Sequence, residues 1–259
     1  MTHHYWHAQE YAHHSSAQYQ WAQELISKMN IHPKDRLLDI GCGDGKITAE
    51  LATHCAKAIG IDQSDEMIQV ASQHFPKSQH PHLSFRRMDA SDLVYDQEFE
   101  LIFSNSTLHW VQDHRMVLAG IYKALVPNGR CFLRFGGHGT LDAFQPIIDS
   151  LITSPFWAPF FESYENGWWF YDDQTYEQWV TQAGLKPISI LLQPSHMTYQ
   201  TRDEFAAWVR TTWHPYLNCL PQSKWERFIW EFIDQYCDQA STEHPLRIPM
   251  TRLEIIASK

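Results

Sequence analysis

The sequence predicts an α/β fold in which a mostly parallel sheet carries helices on both faces. Along the first half of the 259-residue chain, short apolar runs typical of buried strands alternate with stretches of helical periodicity. This alternation is typical of βαβ units, whose strands are parallel. The composition agrees with a folded globular chain, since 44% of the residues are hydrophobic and 19% are charged.

Seven strands are predicted from apolar runs bounded by turn residues. They are Arg36–Ile40, Ala56–Ile61, Leu83–Arg87, Glu100–Ser104, Arg130–Phe135, Lys186–Leu192 and Arg252–Ala257. Helices are predicted over Ala17–Met29 and Ile47–Leu51, after an N-cap at Ser64, and from Val117 to a stop before Pro127. The strands and helices therefore follow one another in the order that a doubly covered sheet requires.

The second half of the chain is rich in tryptophan and predicts a helical insertion before the last strand. Eight of the eleven tryptophans lie between Trp157 and Trp230. Thr201 and Glu204 form a capping box, and apolar residues from Trp225 to Tyr236 recur every three or four positions. We expect a single domain, 1–259, with a ligand-binding core at 1–140 and substrate-side helices and closing strands at 141–259. The insertion, at about 199–240, would lie above the crevice of the sheet.

Charge and cysteine usage exclude several classes of function. The net charge of −10 disfavours a broad nucleic-acid interface or an anionic membrane surface. Five cysteines without CxxC spacing predict neither a disulfide framework nor a zinc ribbon, and no apolar run is long enough to span a membrane. The histidine pairs near the N-terminus lack metal-ligand spacing, so no metal site is predicted. With no signal sequence, the expected location is cytoplasmic. No oligomeric state is predicted.

A glycine-rich turn follows the first predicted strand, in the run LLDIGCGDG from Leu37 to Gly45. Such a turn lets a ligand approach the backbone at the start of a helix. A dinucleotide fingerprint would have a third glycine where Lys46 stands. Asp39 and Asp44 flank the turn and would repel a pyrophosphate, whereas a ligand with an ammonium or sulfonium group would be attracted.

Polar residues also follow the next three strands. Asp62 ends the second strand, Asp89 and Ala90 follow the third, and the run from Asn105 to Trp110 follows the fourth. Since the carboxyl ends of parallel strands meet at one edge, these groups should line one crevice. A carboxylate at Asp62 could accept both hydroxyls of a ribose, and Asp89 could bind an adenine edge.

In this order and spacing, the four motifs resemble those of class I S-adenosylmethionine-dependent methyltransferases, which have a Rossmann-like seven-stranded sheet. The Ser15–Gln18 segment and the Leu108–His109–Trp110 element are similar to a small-molecule group within that class. That group includes the trans-aconitate, malonyl-carrier-protein and juvenile hormone acid methyltransferases. The resemblance covers about residues 18–135.

The resemblance implies S-adenosylmethionine as the cofactor and a set of residues around it. The set is Gln18, Asp39, Gly41, Cys42, Gly43, Asp62, Gln63, Met67, Asp89, Ala90, Asn105 and Ser106. The residues of the glycine turn would surround the methionine part, Asp62 the ribose, and Asp89 with the Ala90 amide the adenine edge. Asn105 and Ser106 would lie near the sulfonium, and Gln18 would close over the cofactor.

The expected reaction is methyl transfer to a small-molecule or carrier-protein-bound acid by in-line displacement at a carboxylate. The residues expected near the acceptor are His109, Trp110, Arg134, Arg210, Trp213 and Tyr216. Three alternatives remain open at this point. His109 could act as a base for a hydroxyl or amine acceptor; the chain could be a nicotinamide-dependent oxidoreductase; or it could bind the cofactor without catalysis.

Overall fold

One seven-stranded sheet runs through the computed structural model, which describes residues 16–240 and 245–259. The strands are β1 Arg36–Ile40, β2 Lys57–Asp62, β3 Leu83–Arg87, β4 Phe99–Asn105, β5 Leu125–Gly136, β6 Lys186–Tyr199 and β7 Leu246–Ser258. Their order is β3-β2-β1-β4-β5-β7-β6, and β7 runs antiparallel to the other six strands. The predicted mostly parallel sheet of seven strands is confirmed.

Helices cover both faces of this sheet. They are α1 Ser16–Ile26, α2 Lys46–Ala52, α3 Asp65–His74, α4 His114–Ala124, α5 Gln145–Ile152, α6 Asp173–Gln182, α7 Arg202–Thr212, α8 His214–Leu217 and α9 Trp225–Ala240. Apolar residues of α1 and α2 pack on one face, and those of α4 and α6 pack on the other. The predicted caps form, since Ser64 Oγ accepts from Met67 N and Thr201 Oγ1 accepts from Glu204 N.

Three helices were not predicted because their apolar signal is weak or short, and one of them, α8, has only four residues. The α6 sequence is mostly polar, and in it only Tyr176 and Val180 are buried. The α5 helix has eight residues and follows a turn that has no side-chain cap. None of the three segments therefore gives a long apolar periodicity.

The last two strands are longer than predicted. The sequence predicts Lys186–Leu192 and Arg252–Ala257, but β6 and β7 stay paired as far as Tyr199 and Leu246. Polar and proline residues such as Pro194 interrupt the apolar pattern, which an edge strand such as β6 tolerates. The distal half of this hairpin buries Met197 and Tyr199 in the core beneath the insertion.

The insertion, α7 to α9, lies between β6 and β7 and shares an aromatic core with α5. Trp213 and Phe232 have ring centroids 4.3 Å apart, and Trp157 and Phe144 are also fully buried in this cluster. Large buried aromatic rings contribute strongly to core stability because each buries much apolar area. These buried rings hold the insertion against α5.

Within the described residues, 16–240 and 245–259, each helix is too short or too polar to span a bilayer, and the longest, α9, has 16 residues. No three His, Cys, Asp or Glu side chains in these ranges are arranged to hold a metal ion. The N-terminal histidines lie outside the described residues.

Candidate active site

The glycine turn after β1 has an open backbone. Gly41 and Gly43 have φ angles of +78° and +52°, in the left-handed region that favours glycine. A Cβ atom at Gly41 would lie 2.1 Å from the Thr107 side chain, so only glycine fits beneath that residue. A Cβ at Gly43 would meet no atom within 4 Å. The turn therefore presents bare main chain to open space.

Asp62, the last residue of β2, fixes this turn through its carboxylate. Its Oδ2 accepts a hydrogen bond from Gly43 N at 3.1 Å, and its Oδ1 accepts one from Ser64 N at 2.9 Å. Burial raises the pKa of the Asp62 carboxyl, and these backbone hydrogen bonds offset part of that increase. The two bonds hold both oxygens in place beside the turn.

The end of β4 is fastened to the same turn. Ser104 Oγ donates to the Ile40 carbonyl at 2.8 Å, and Thr107 Oγ1 donates to the Gly41 carbonyl at 3.3 Å. Between them Ser106 has a φ of +59°, a conformation that non-glycine residues adopt at a cost and that often occurs at functional sites. The β1 and β4 ends thus form one rigid wall.

These elements enclose a cavity of about 690 Å³ including its open mouth, which we call the turn cavity. It is lined by Ile40, Gly41, Gly43, Ile61, Asp62, Gln63, Met67, Met88, Asp89, Ala90, Asn105, Ser106, Thr107, Trp110 and Val111. Most of the residues expected around the cofactor are brought together here.

Three residues expected around the cofactor are not placed in this lining. Asp39 is buried beneath the turn and accepts from Thr48 Oγ1 at 2.6 Å. Burial, with a smaller contribution from the charge of Asp62, raises the pKa of Asp39 to about 7. The Cys42 side chain packs against Gly60, where a Cβ would lie 2.8 Å from it, so it fills space behind the turn. The Gln18 side chain lies outside the described residues.

A second cavity adjoins the first, and we call it the aromatic cavity. It is lined by Trp21, Ser106, His109, Trp110, Gly136, Thr140, Leu141, Trp168, Phe170, Met197, Trp208, Thr212, Trp213, Met250 and Thr251. No Asp, Glu, Lys or Arg is among these residues. Ser106 and Trp110 line both cavities, so the two spaces meet at this pair.

His109 lies in the wall of the aromatic cavity, in a short 3-10 helix at Leu108–Trp110. Its ring stacks on Phe170 with centroids 5.8 Å apart. Its Nδ1 is buried and has no hydrogen-bond partner within the ranges that the structure describes. Burial, helped by the nearby His114, lowers the pKa of His109 to about 3, so the imidazole is neutral at neutral pH.

Of the other residues expected near the acceptor, Trp110 and Trp213 line the aromatic cavity and three do not. Tyr216 stacks on Tyr164 at 4.9 Å within the core. Arg210 forms an ion pair with Glu226.

Arg134 is buried behind the cavity wall and pairs with Glu254. These three side chains therefore lie outside the lining of the aromatic cavity, and their contact with the acceptor stays a prediction. The sequence identifies the charged or aromatic side chain of Arg134, Arg210 and Tyr216, but it does not show which residue of the protein each of them contacts in the fold.

Sequence reasoning missed much of the aromatic cavity. Trp21, Trp168, Phe170 and Met197 come from the first helix, a loop and a late strand, and no local spacing connects them. Met88 and Val111 in the turn cavity had a usable signal, because each directly follows or extends a motif already identified.

Comparison with known proteins agrees with this geometry. Residues 38–133 match the family model described as a methyltransferase domain. An uncharacterized methyltransferase of Schizosaccharomyces pombe is 26% identical over 90% of this chain and 89% of its own length. The chain carries a methyltransferase domain and is an S-adenosylmethionine-dependent methyltransferase. The nicotinamide and noncatalytic alternatives are thereby set aside.

Other relatives match over a smaller part of the chain or at lower sequence identity. The juvenile hormone acid O-methyltransferase of Bombyx mori is 37% identical over 44% of this chain and 41% of its own length. In fold, a phosphoethanolamine N-methyltransferase of Haemonchus contortus, solved with S-adenosylhomocysteine, has a TM-score of 0.64. It is 17% identical over 97% of this chain and 57% of its own.

The turn cavity fits the cofactor that this family uses. The open side of Gly43 leaves room for a ligand against the main chain, and the Asp62 carboxylate at the cavity edge is an acceptor suited to sugar hydroxyls. Met67, Met88 and Ala90 add apolar surface to the same lining.

Proposed function

We propose that this protein methylates the carboxylate of an apolar acid held in the aromatic cavity, with S-adenosylmethionine in the turn cavity. The single observation that carries the proposal is that the two cavities meet at Ser106 and Trp110. A donor on one side and an acceptor on the other would face each other at that pair. Such alignment is what an in-line displacement needs, and it supplies about 7–11 kcal/mol in well-oriented reactions.

The residues of the turn cavity would hold the cofactor as follows. Asp62 would accept from the ribose hydroxyls, and Asp89 with the Ala90 amide would bind the adenine edge. Gly41, Gly43 and Asn105 would surround the methionine part, and Gln18 would close the site. The bound cofactor supplies an electrophilic methyl group on sulfur.

The lining of the aromatic cavity supports an apolar acceptor with one charge. No described residue of the lining carries a charged side chain, so among these residues a tricarboxylate such as trans-aconitate would bury several charges without partners. A single carboxylate directed toward the junction of the cavities could leave its apolar body among the rings of Trp168, Phe170 and Trp208. Relatives named trans-aconitate 2-methyltransferase and juvenile hormone acid O-methyltransferase both support a carboxylate acceptor, and the choice of an apolar acid rests on the lining of the cavity.

The state of His109 favours a carboxylate over a hydroxyl or an amine. A carboxylate with an ordinary pKa of about 4 is ionised at neutral pH and needs no base. A hydroxyl or ammonium acceptor must lose a proton, and an imidazole whose pKa is about 3 is a weak base for that step. An acceptor oxygen would form its bond to the methyl carbon while the electron pair of the carbon–sulfur bond goes to sulfur, and no proton moves.

Two buried ring nitrogens supply the orienting groups in this proposal. His109 Nδ1 and Trp213 Nε1 are both buried, and neither has a hydrogen-bond partner among residues 16–240 and 245–259. Trp213 Nε1 is a donor, and His109 Nδ1 is a donor in the tautomer that carries its proton on that atom. A buried donor left without a partner costs about 1–3 kcal/mol, and a carboxylate would remove that cost. Both residues line the aromatic cavity, so we assign them to binding the acceptor carboxylate.

The test is a panel of acceptors of matched length with methyl-labelled cofactor. We expect transfer to dodecanoate to be at least tenfold faster than transfer to dodecanol, dodecylamine or trans-aconitate. Preference for the alcohol or amine would refute the carboxylate assignment, and preference for trans-aconitate would refute the apolar one. Transfer only to an acyl group on a carrier protein would also count against a free acid.

A matched pair of tryptophan variants tests the orienting role. Trp213→Phe keeps the ring but removes the N–H, and should raise KM for dodecanoate about tenfold, since one hydrogen bond to a charged group is lost. Trp225→Phe is the control, because Trp225 Nε1 donates to the Leu220 carbonyl at 3.2 Å and does not line the cavity. Equal KM values in both variants would remove Trp213 from the site.

A further inference from the structure

A group of charged side chains ties α1 to the sheet beside the aromatic cavity. Arg134 on β5 and Glu254 on β7 are each 4% exposed and form a buried ion pair. Arg134 Nη1 also lies 3.1 Å from Oε2 of Glu24 on α1 and donates to the main-chain carbonyl of Trp21. One buried guanidinium therefore joins two strands and a helix.

Two more cations strengthen the same connection. Arg252 Nη1 lies 3.0 Å from Glu24 Oε2, and its guanidinium lies over the Trp21 ring at 5.1 Å. Lys28 Nζ lies 2.6 Å from Glu254 Oε1. The helix α1 thus meets the sheet through the ion pairs of Glu24, in its last turn, and of Lys28, two residues beyond its end.

The buried ion pair is charged at neutral pH. Burial alone would raise the pKa of Glu254, but hydrogen bonds and charge from Lys28 and Arg134 outweigh burial and lower that pKa below its ordinary value. A guanidinium has five N–H donors, and Glu254 uses only part of this set. The remaining donors of Arg134 are available to α1, which explains why the helix docks at this point.

None of these charges lines the aromatic cavity, but Trp21 does. Its main chain is held by Arg134 and its ring by Arg252, while its side chain forms part of the cavity wall. We propose that Arg134, Arg252 and Glu24 are positioning residues that dock α1 and so hold Trp21 in the wall, which sets the affinity for the acceptor. Only the last step rests on the proposed function.

The variant Glu24→Gln tests the docking with little risk to the fold, since its side chain is 45% exposed. It removes the charge that Arg134 and Arg252 share. In hydrogen–deuterium exchange of the full chain without acceptor, we expect the amides of α1 to exchange at least tenfold faster while β5 and β7 are unchanged. Glu226→Gln is the matched control, because it also loses an arginine partner, Arg210, away from the aromatic cavity.

The second readout concerns Trp21 and the acceptor. In Glu24→Gln we expect KM for dodecanoate to rise at least fivefold, with kcat and the cofactor Kd within twofold of wild type. Unchanged α1 exchange would overturn the docking, and faster exchange with unchanged KM would overturn its effect on the cavity. Exchange is measured without acceptor, so it decides the docking by itself; absence of turnover with every acid would contradict the proposed function instead.

Discussion

Removal of the Asp62 carboxylate should weaken cofactor binding more than any other single change in the turn cavity. Its two oxygens are held by the Gly43 and Ser64 amides, so the group is already oriented before a ligand arrives. A hydrogen bond to a charged group contributes about 1.5–3 kcal/mol, and two ribose hydroxyls would supply two such bonds. Asp62→Ala should therefore cost at least about 3 kcal/mol, or about 100-fold in Kd.

A graded series separates this effect from damage to the turn. Asp62→Asn keeps one acceptor oxygen but loses the charge, so it should weaken binding only about tenfold. Asp65→Asn is the matched control, because that carboxylate is exposed, lies three residues further along the chain and pairs with Arg87 at 3.4 Å. It should bind within twofold of wild type, since a surface ion pair contributes little.

The assay is calorimetric titration with S-adenosylhomocysteine, with circular dichroism to check the fold of each variant. The order of affinities should be wild type and Asp65→Asn, then Asp62→Asn, then Asp62→Ala. If a folded Asp62→Ala variant binds within threefold of wild type, the ribose role is refuted and Asp62 serves only to hold the turn.

Two pH effects follow from the buried ionisable groups. Asp39 has a pKa of about 7, and a cationic cofactor favours its ionised form, so the affinity for S-adenosylmethionine should rise about tenfold from pH 6 to pH 8. This rise should be smaller in Asp39→Asn, and calorimetry at several pH values would measure it. For His109 and His114, burial lowers the pKa to about 3 and about 4. The two neutral histidines contribute fully to the free energy of unfolding above the unfolded-state pKa of about 6.5. As the pH falls from about 6.5 toward their folded-state pKa values, this contribution decreases by up to about 1.4 kcal/mol per pH unit for each histidine. His109→Phe should therefore lose less stability on acidification in urea titrations, and an identical slope would contradict this.

The sequence predicted the turn cavity well because its residues are placed by local structure. Asp62 is the last residue of β2 and Ala90 lies three residues after β3, and parallel strands bring their carboxyl ends together. A side chain's direction within such a turn is harder to predict. Asp39 and Cys42 belong to the same motif, yet one lies under the turn and the other packs behind it.

The ion-pair partners of the arginines could not be predicted from the sequence either, because they depend on contacts between distant parts of the chain. Arg134 sits on a strand whose end faces the crevice, which made an acidic substrate a reasonable partner. In the fold it meets Glu254, which lies 120 residues later in the chain and on the neighbouring antiparallel strand. Pairing at that distance depends on the register of β5 with β7, and no single-sequence pattern specifies that register.

The two cavities differ in how far along the chain their residues are spread, and this difference bears on specificity. The turn cavity is built from residues between Ile40 and Val111, whereas the aromatic cavity takes residues from Trp21 to Thr251. Substitutions in the hairpin or the insertion, such as at Met197 or Trp208, can therefore change the acceptor wall without altering the glycine turn. The acceptor must accordingly be inferred from the aromatic cavity itself, because the family fold determines only the donor side. The uncharged character of the described lining residues and the neutral His109 are the features from which we propose an apolar carboxylic acid.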